Sequence, residues 1–156
     1  MKKDLVVSLI SVFIFIFIVV MVFMLRPTRM ERTEQHFNRD YELLVTISEF
    51  MVGTSYSNIR IGRNSMEVGE MTVFDIGNRI TIEDESIIEI LQELRTRGYN
   101  VIDKEDNTII FQRWANRHMG WGMAFSIDGS IPTHRSVTIT TLEPLSKPGW
   151  YFYISQ

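Results

Sequence analysis

Trp121-Gly122-Met123-Ala124-Phe125-Ser126-Ile127 alternates by bulk along its whole length. Trp121, Met123, Phe125 and Ile127 share one side, and Gly122, Ala124 and Ser126 share the other. Successive side chains of a strand point to opposite faces, so this stretch reads as a strand whose large face packs on a helix. Its small face either lies bare or lets another element approach closely. The rest of the chain is read outward from that strand.

Asp128-Gly129 follows it at once, and Glu105-Asp106-Asn107 lies upstream; both are hairpin-type turn sequences. Further strand signals cover 99–103, 108–114, 137–142 and 150–155. Before them come 58–61, 71–74 and 79–82, punctuated by Gly62, Gly69 and Gly77. Strands follow one another through short turns instead of alternating with helices. That order predicts an α+β fold with a small, mainly antiparallel sheet packed by one helix.

The covering helix is 84–97, with Ile87, Ile88, Ile90, Leu91 and Leu94 as its apolar stripe. Glu83, Asp84 and Glu85 crowd its positive end, Arg95 and Arg97 its negative end, and Gly98 stops it. A second amphipathic helix runs over 30–52. Phe37, Tyr41, Leu44, Ser48 and Met51 recur at helical spacing, and Leu43, Ile47 and Phe50 widen the face. A domain this small needs that apolar area for its own core, although a partner helix or a second copy is the alternative use of it.

From Leu5 to Leu25 the chain is apolar without a charge, broken only by Ser8 and Ser11. As a helix this run is roughly 30 Å long, the hydrocarbon thickness of a bilayer. The Phe-Ile-Phe-Ile centre favours strand in water, but a lone strand in lipid leaves its backbone unpaired, so helix wins. The Met1-Lys2-Lys3 start resembles a secretory signal. The run is too long for one, and Met24-Leu25-Arg26-Pro27 offers no small pair for cleavage, so it resembles an uncleaved signal anchor. The organisation expected is a tail 1–4, a transmembrane signal anchor 5–25, a juxtamembrane helix and linker 26–57 with a break at Pro27, and an α+β domain 58–156. Lys2 and Lys3 face Arg26, Arg29 and Arg32 across the run, a near balance of positive charge. The likeness to a signal sequence tips the placement, with the bulk of the chain on the outer face of the plasma membrane.

Lys2, Lys3 and Asp4 account for one net positive charge of a chain at −3, so the remainder carries four net negatives. A mildly acidic domain repels a phosphate backbone, which argues against nucleic acid as a partner. No cysteine is present, which removes disulfides, thiol catalysis, zinc–cysteine sites and a lipidated cysteine together. A surface domain without disulfides fits a Gram-positive bacterium better than a eukaryote.

No motif for a cofactor or metal stands out. Asp103, Glu105 and Asn107 alternate as in a calcium loop, but Thr108 stands where that loop needs glycine and Trp114 where it needs its last carboxylate. His36, His118 and His134 form no paired ligand spacing. His134 lies in a loop after Asp128, so a hydrolase using His134 with Asp128 and Ser126, Ser130 or Ser136 is one reading, without a nucleophile-elbow motif behind it. Aromatic strand residues give another. Trp114, Trp121, Tyr151 and Tyr153, with Arg113 and Arg117 beside them, are the candidate binding residues. Alternation puts Trp150, Phe152 and Ile154 on one face and the two tyrosines on the other, where they stack on glycan or bind a peptide if exposed. Arg113, Arg117 and Arg135 gathered at one sheet end would take an anion. The function expected is a non-enzymatic interaction domain for another membrane or envelope protein, with self-association open and cell-wall glycan or hydrolysis as alternatives.

Overall fold

The computed structural model describes residues 14–18, 21, 28–116 and 119–156. They divide after Arg32 into two units, and the second, Thr33–Gln156, holds the whole sheet. Of the apolar run 5–25, only 14–18 and 21 are described; they are helical and exposed. Among the described residues no helix is long and apolar enough to cross a membrane. The rest of the anchor expectation, Pro27 included, lies outside the described residues.

Helix α1 is Arg29–Gly53. It opens with a reciprocal capping box: the Glu31 N–H donates to the Thr28 hydroxyl at 3.1 Å, and the Thr28 N–H to the Glu31 carboxylate at 2.6 Å. Phe37, Leu44, Ile47 and Met51 are fully buried. The helix therefore spends its apolar face on its own domain, and the sheet is packed by more than the one helix expected. Strand β1 (Asn58–Gly62) leads into a short helix α2 (Arg63–Val68), which no periodicity announced. Strands β2 (Glu70–Val73) and β3 (Asn78–Thr81) follow, then helix α3 (Glu85–Thr96). Asp84 caps α3 by accepting from the Ser86 N–H at 2.9 Å, and Ile87, Leu91 and Leu94 are its buried stripe. Ile88 and Ile90, placed in that stripe from the sequence, are only partly buried. Gly69, at φ 69°, lies where a Cβ would sit 2.7 Å from the Ile88 side chain, so only glycine lets α2 and α3 close together.

Five more strands complete the sheet: β4 (Val101–Glu105), β5 (Thr108–Ala115), β6 (Gly120–Ser126), β7 (Ile139–Pro144) and β8 (Trp150–Ser155). All eight form one sheet in the order β3-β2-β1-β4-β5-β6-β8-β7, every pairing antiparallel. The fold is thus α+β with an antiparallel sheet, larger than the small one expected.

Register sorts the two faces. Ile61, Ile102, Phe111, Met123 and Phe152 form one cross-strand row, on the side that the helices cover. Phe37 of α1 meets Trp150 there with ring centroids 5.2 Å apart. On that side too, the ammonium of Lys104 donates to the carbonyls of Met51 and Tyr56, each at 2.7 Å. It caps a helix whose last turn has no basic residue of its own. The opposite face carries Arg60, Asp103, Ile110, Ala124 and Tyr151 in one row. It is not bare. Ile110, Ala124 and Tyr153 are buried, with Ile139 and Leu142 of β7 packed against them and Val137 added by a strap, 127–138, that leads from β6 back over the sheet.

Candidate functional site

The strap places a cleft of about 320 Å³ on the second face, lined by Asn58, Arg60, Phe74, Glu105, Arg135 and Ser136 among others. Its floor is built by alternation. Residues two apart on a strand share a face, so β4 presents Asp103 and Glu105 together, and β1 pairs Arg60 with Asp103. The Arg60 guanidinium donates to the Asp103 carboxylate, through Nε at 2.8 Å and through a terminal nitrogen. Burial pushes the Asp103 carboxyl above its ordinary value, and the Arg60 pair only partly offsets this. Phe74, at the end of β2, leaves its ring 53% exposed at the cleft wall, with the Arg60 guanidinium 5.5 Å from its centroid.

His134 hangs from the strap between the two acids. Its Nδ1 lies 3.0 Å from a Glu105 oxygen and its Nε2 3.7 Å from an Asp103 oxygen, with the side chain 1% exposed. The first approach lacks hydrogen-bond direction and the second is too long, so both contacts are ion-pair contacts only and neither ring nitrogen completes a hydrogen bond. The strap backbone is tied down beside it: the Arg135 N–H donates to Glu105 at 2.8 Å and the Thr133 N–H to the Thr108 hydroxyl at 3.2 Å. Two further clefts flank the imidazole, one of about 150 Å³ on the Thr133–Arg135 side and one of about 420 Å³ along Ile131–Leu142.

The geometry redistributes the residues singled out from the sequence. Asp128 belongs to its own turn, accepting from the Ser130 N–H at 2.9 Å and from Asn107 at 3.2 Å. Those donors, the Ser130 backbone first and then its hydroxyl, hold the Asp128 carboxyl down to about 2. His134 meets Asp103 and Glu105 instead, and among the described residues no hydrogen bond joins it to Asp128 or to a serine. Tyr153 is fully buried, its hydroxyl without a hydrogen-bond partner, and Tyr151 is half-buried under the strap. Trp121 is half-buried and faces Trp114, which is 42% exposed at the end of β5.

Arg113 is the extra residue of a bulge between Gln112 and Trp114. It points into a second polar cluster, around Asp40 of α1. Asp40 is fully buried and accepts from Arg39 at 2.6 and 2.8 Å, from Arg97 at 2.5 Å, from the Tyr99 hydroxyl at 3.1 Å and from Arg113 at 3.4 Å. Burial alone would raise the Asp40 carboxyl, but the bonds from Arg39, Arg97 and Tyr99 outweigh it and hold it below its ordinary value. Arg113 also lies 4.7 Å above the Tyr99 ring. Arg135 sits at the opposite end of β5, paired with Asp106 at 2.8 Å, so the two arginines do not meet at one sheet end. Arg117 and His118 lie outside the described residues.

Among the described residues no group of three His, Asp or Glu side chains is placed to hold a metal ion. The residues the sequence left unassigned are Arg60 and Phe74. Their signal was faint: an arginine inside an apolar strand and an aromatic residue at a turn. The chain matches no protein-family model, no curated protein and no solved structure.

Proposed function

We propose that this chain is a membrane-tethered interaction domain, held to the bilayer by the apolar run 5–25 and displayed on the outer face of the plasma membrane. Its partner is another membrane or envelope protein, bound at the cleft beside the strap. One observation carries the choice of surface: Phe74 keeps half its ring exposed next to the Arg60 guanidinium in a concave site of about 320 Å³. An aromatic ring and an arginine in one concavity are the side chains that dominate protein–protein hot spots. The size is at the lower end for a ligand site, which suits one or two anchoring side chains of a partner.

The test is cross-linking on membranes with tagged full-length protein and its Phe74→Ala variant, with Ile131→Ser as a surface control. Loss of the cross-linked partner in the Phe74 variant, with the control unchanged, is the expected result. Equal capture by all three overturns the assignment of the surface. Protease treatment of intact cells tests the placement: digestion of the domain is expected, and full protection overturns it.

A further inference from the structure

A separate concavity, of about 330 Å³, runs along α1 on the side of the sheet that the helices cover. One wall is the helix itself. Tyr41, Val45 and Glu49 follow at four-residue steps and so stand in one row, which Val52, 44% exposed, extends. The other wall is Phe125, Ile127, Pro148 and Trp150. The Trp150 ring lies 4.9 Å from that of Phe125 and 6.2 Å from that of Tyr41, centroid to centroid, so packed rings hold the two walls apart. Ser48 adds no unpaired polar group, because its hydroxyl donates to the Leu44 carbonyl at 2.8 Å. An apolar groove therefore lies open beside an apolar ridge.

The two ends of this surface carry opposite charges. Lys147, in the β7–β8 turn, holds its ammonium 5.3 Å from the centre of the Tyr41 ring. Glu49 stands two turns further along α1, about 12 Å away at helical rise. Among the described residues neither is in an ion pair. A two-fold interface asks each copy to supply both halves of every contact, and a ridge, a groove and two opposite charges on one surface meet that demand.

We infer that α1 packs antiparallel against α1 of a second copy of this chain, the ridge of each in the groove of the other, with the two-fold close to Val45. Reversing the helix about Val45 brings the Tyr41 end of one copy beside the partner's Glu49. Lys147 then pairs with the partner's Glu49, once on each side of the axis. The patch is modest against the roughly 800 Å² per subunit usual for a stable dimer, and a shared bilayer, as proposed above, offsets this by raising the effective concentration. This surface and the Phe74 cleft lie on opposite faces of the sheet, so either interaction can fail without the other.

The chain has no cysteine, so a single one reports its position without background. The assay is oxidative cross-linking of the full chain in membranes. Val45→Cys marks the two-fold, and Val68→Cys, at a site 60% exposed on α2, is the collision control. A disulfide dimer is expected for Val45→Cys and a monomer for Val68→Cys. Glu49→Lys or Lys147→Glu, added to Val45→Cys, should each cut the dimer by about tenfold, and both together should restore it. Glu49 and Lys147 are exposed and unpaired within one chain, so these variants keep the fold. Equal cross-linking at positions 45 and 68, or a loss that the double reversal does not repair, overturns the proposal. So does a Val45→Cys chain that stays monomeric or joins a different protein, the results expected if an acyl chain or a foreign helix fills the groove.

Discussion

Replacing Asp40 by Asn should cost about 3 kcal/mol of stability at neutral pH, most of it from Arg113. The three guanidiniums around this carboxylate are unequal, with side-chain exposures of 50% for Arg39, 27% for Arg97 and 10% for Arg113. Arg39 returns to solvent when its partner is lost, and an exposed pair is worth less than about 1 kcal/mol. Arg97 retains Glu93, its partner one turn earlier on α3. Arg113 has nowhere to go. It keeps only the Arg97 carbonyl at 2.6 Å and the Tyr99 ring, and its charge is left buried opposite a neutral amide. Breaking a buried pair on one side costs roughly 3–5 kcal/mol, and the long 3.4 Å contact to Arg113 argues for the lower end. For a domain of this size the loss corresponds to about 10 °C in Tm. The assay is denaturant unfolding of the full chain in micelles, followed by circular dichroism, for wild type, Asp40→Asn and Arg39→Ala. The Asp40 carboxyl is held below its ordinary value, so its contribution is complete above that value and fades as pH falls through the depressed one. The gap between wild type and Asp40→Asn should therefore close in acid. A gap under about 1 kcal/mol at neutral pH, one that persists unchanged in acid, or an equal loss in Arg39→Ala would refute the argument.

Gly122→Ala should fail to fold or lose more than about 3 kcal/mol, because the added Cβ would stand 2.0 Å from the Phe111 carbonyl oxygen of the paired strand. Gly53→Ala, where nothing lies within 4 Å, should shift the same unfolding curve by less than about 0.5 kcal/mol. Tyr153→Phe removes a buried hydroxyl that has no hydrogen-bond partner, so its denaturation midpoint should match or exceed wild type, by up to about 1 kcal/mol. A clear loss there would mean that the hydroxyl is satisfied after all.

Much of the sheet was legible because strand periodicity is local. The eight segments read from alternation match β1 to β8 to within about two residues at each end. What alternation could not show is where the chain goes after Asp128-Gly129. The strap decides that Tyr153 is core and that His134 meets Asp103 and Glu105, and both are tertiary facts about a segment without a repeat. The same-face spacing of those two acids was visible, yet it suggested a calcium loop because nothing local supplies the histidine. Asp40 carried a signal that went unread: it lies between Phe37 and Leu44 on the stripe, and a charge there calls for a buried partner. Helix α2, six residues between two glycines, is too short for any period to register.

Lys104 gives α1 a property that its own residues do not encode. The helix stops at Gly53 against an ammonium that arrives from β4, some fifty residues later in the chain. Until β4 is paired in the sheet, the last-turn carbonyl of Met51 has only the Thr54 hydroxyl, 2.7 Å away, and no cation against the helix dipole, so that end of the helix frays more readily. Completion of the helix is thus an event late in folding, conditional on the sheet. Synthesis from the N-terminus makes α1 first, but its final turn waits for a strand not yet made.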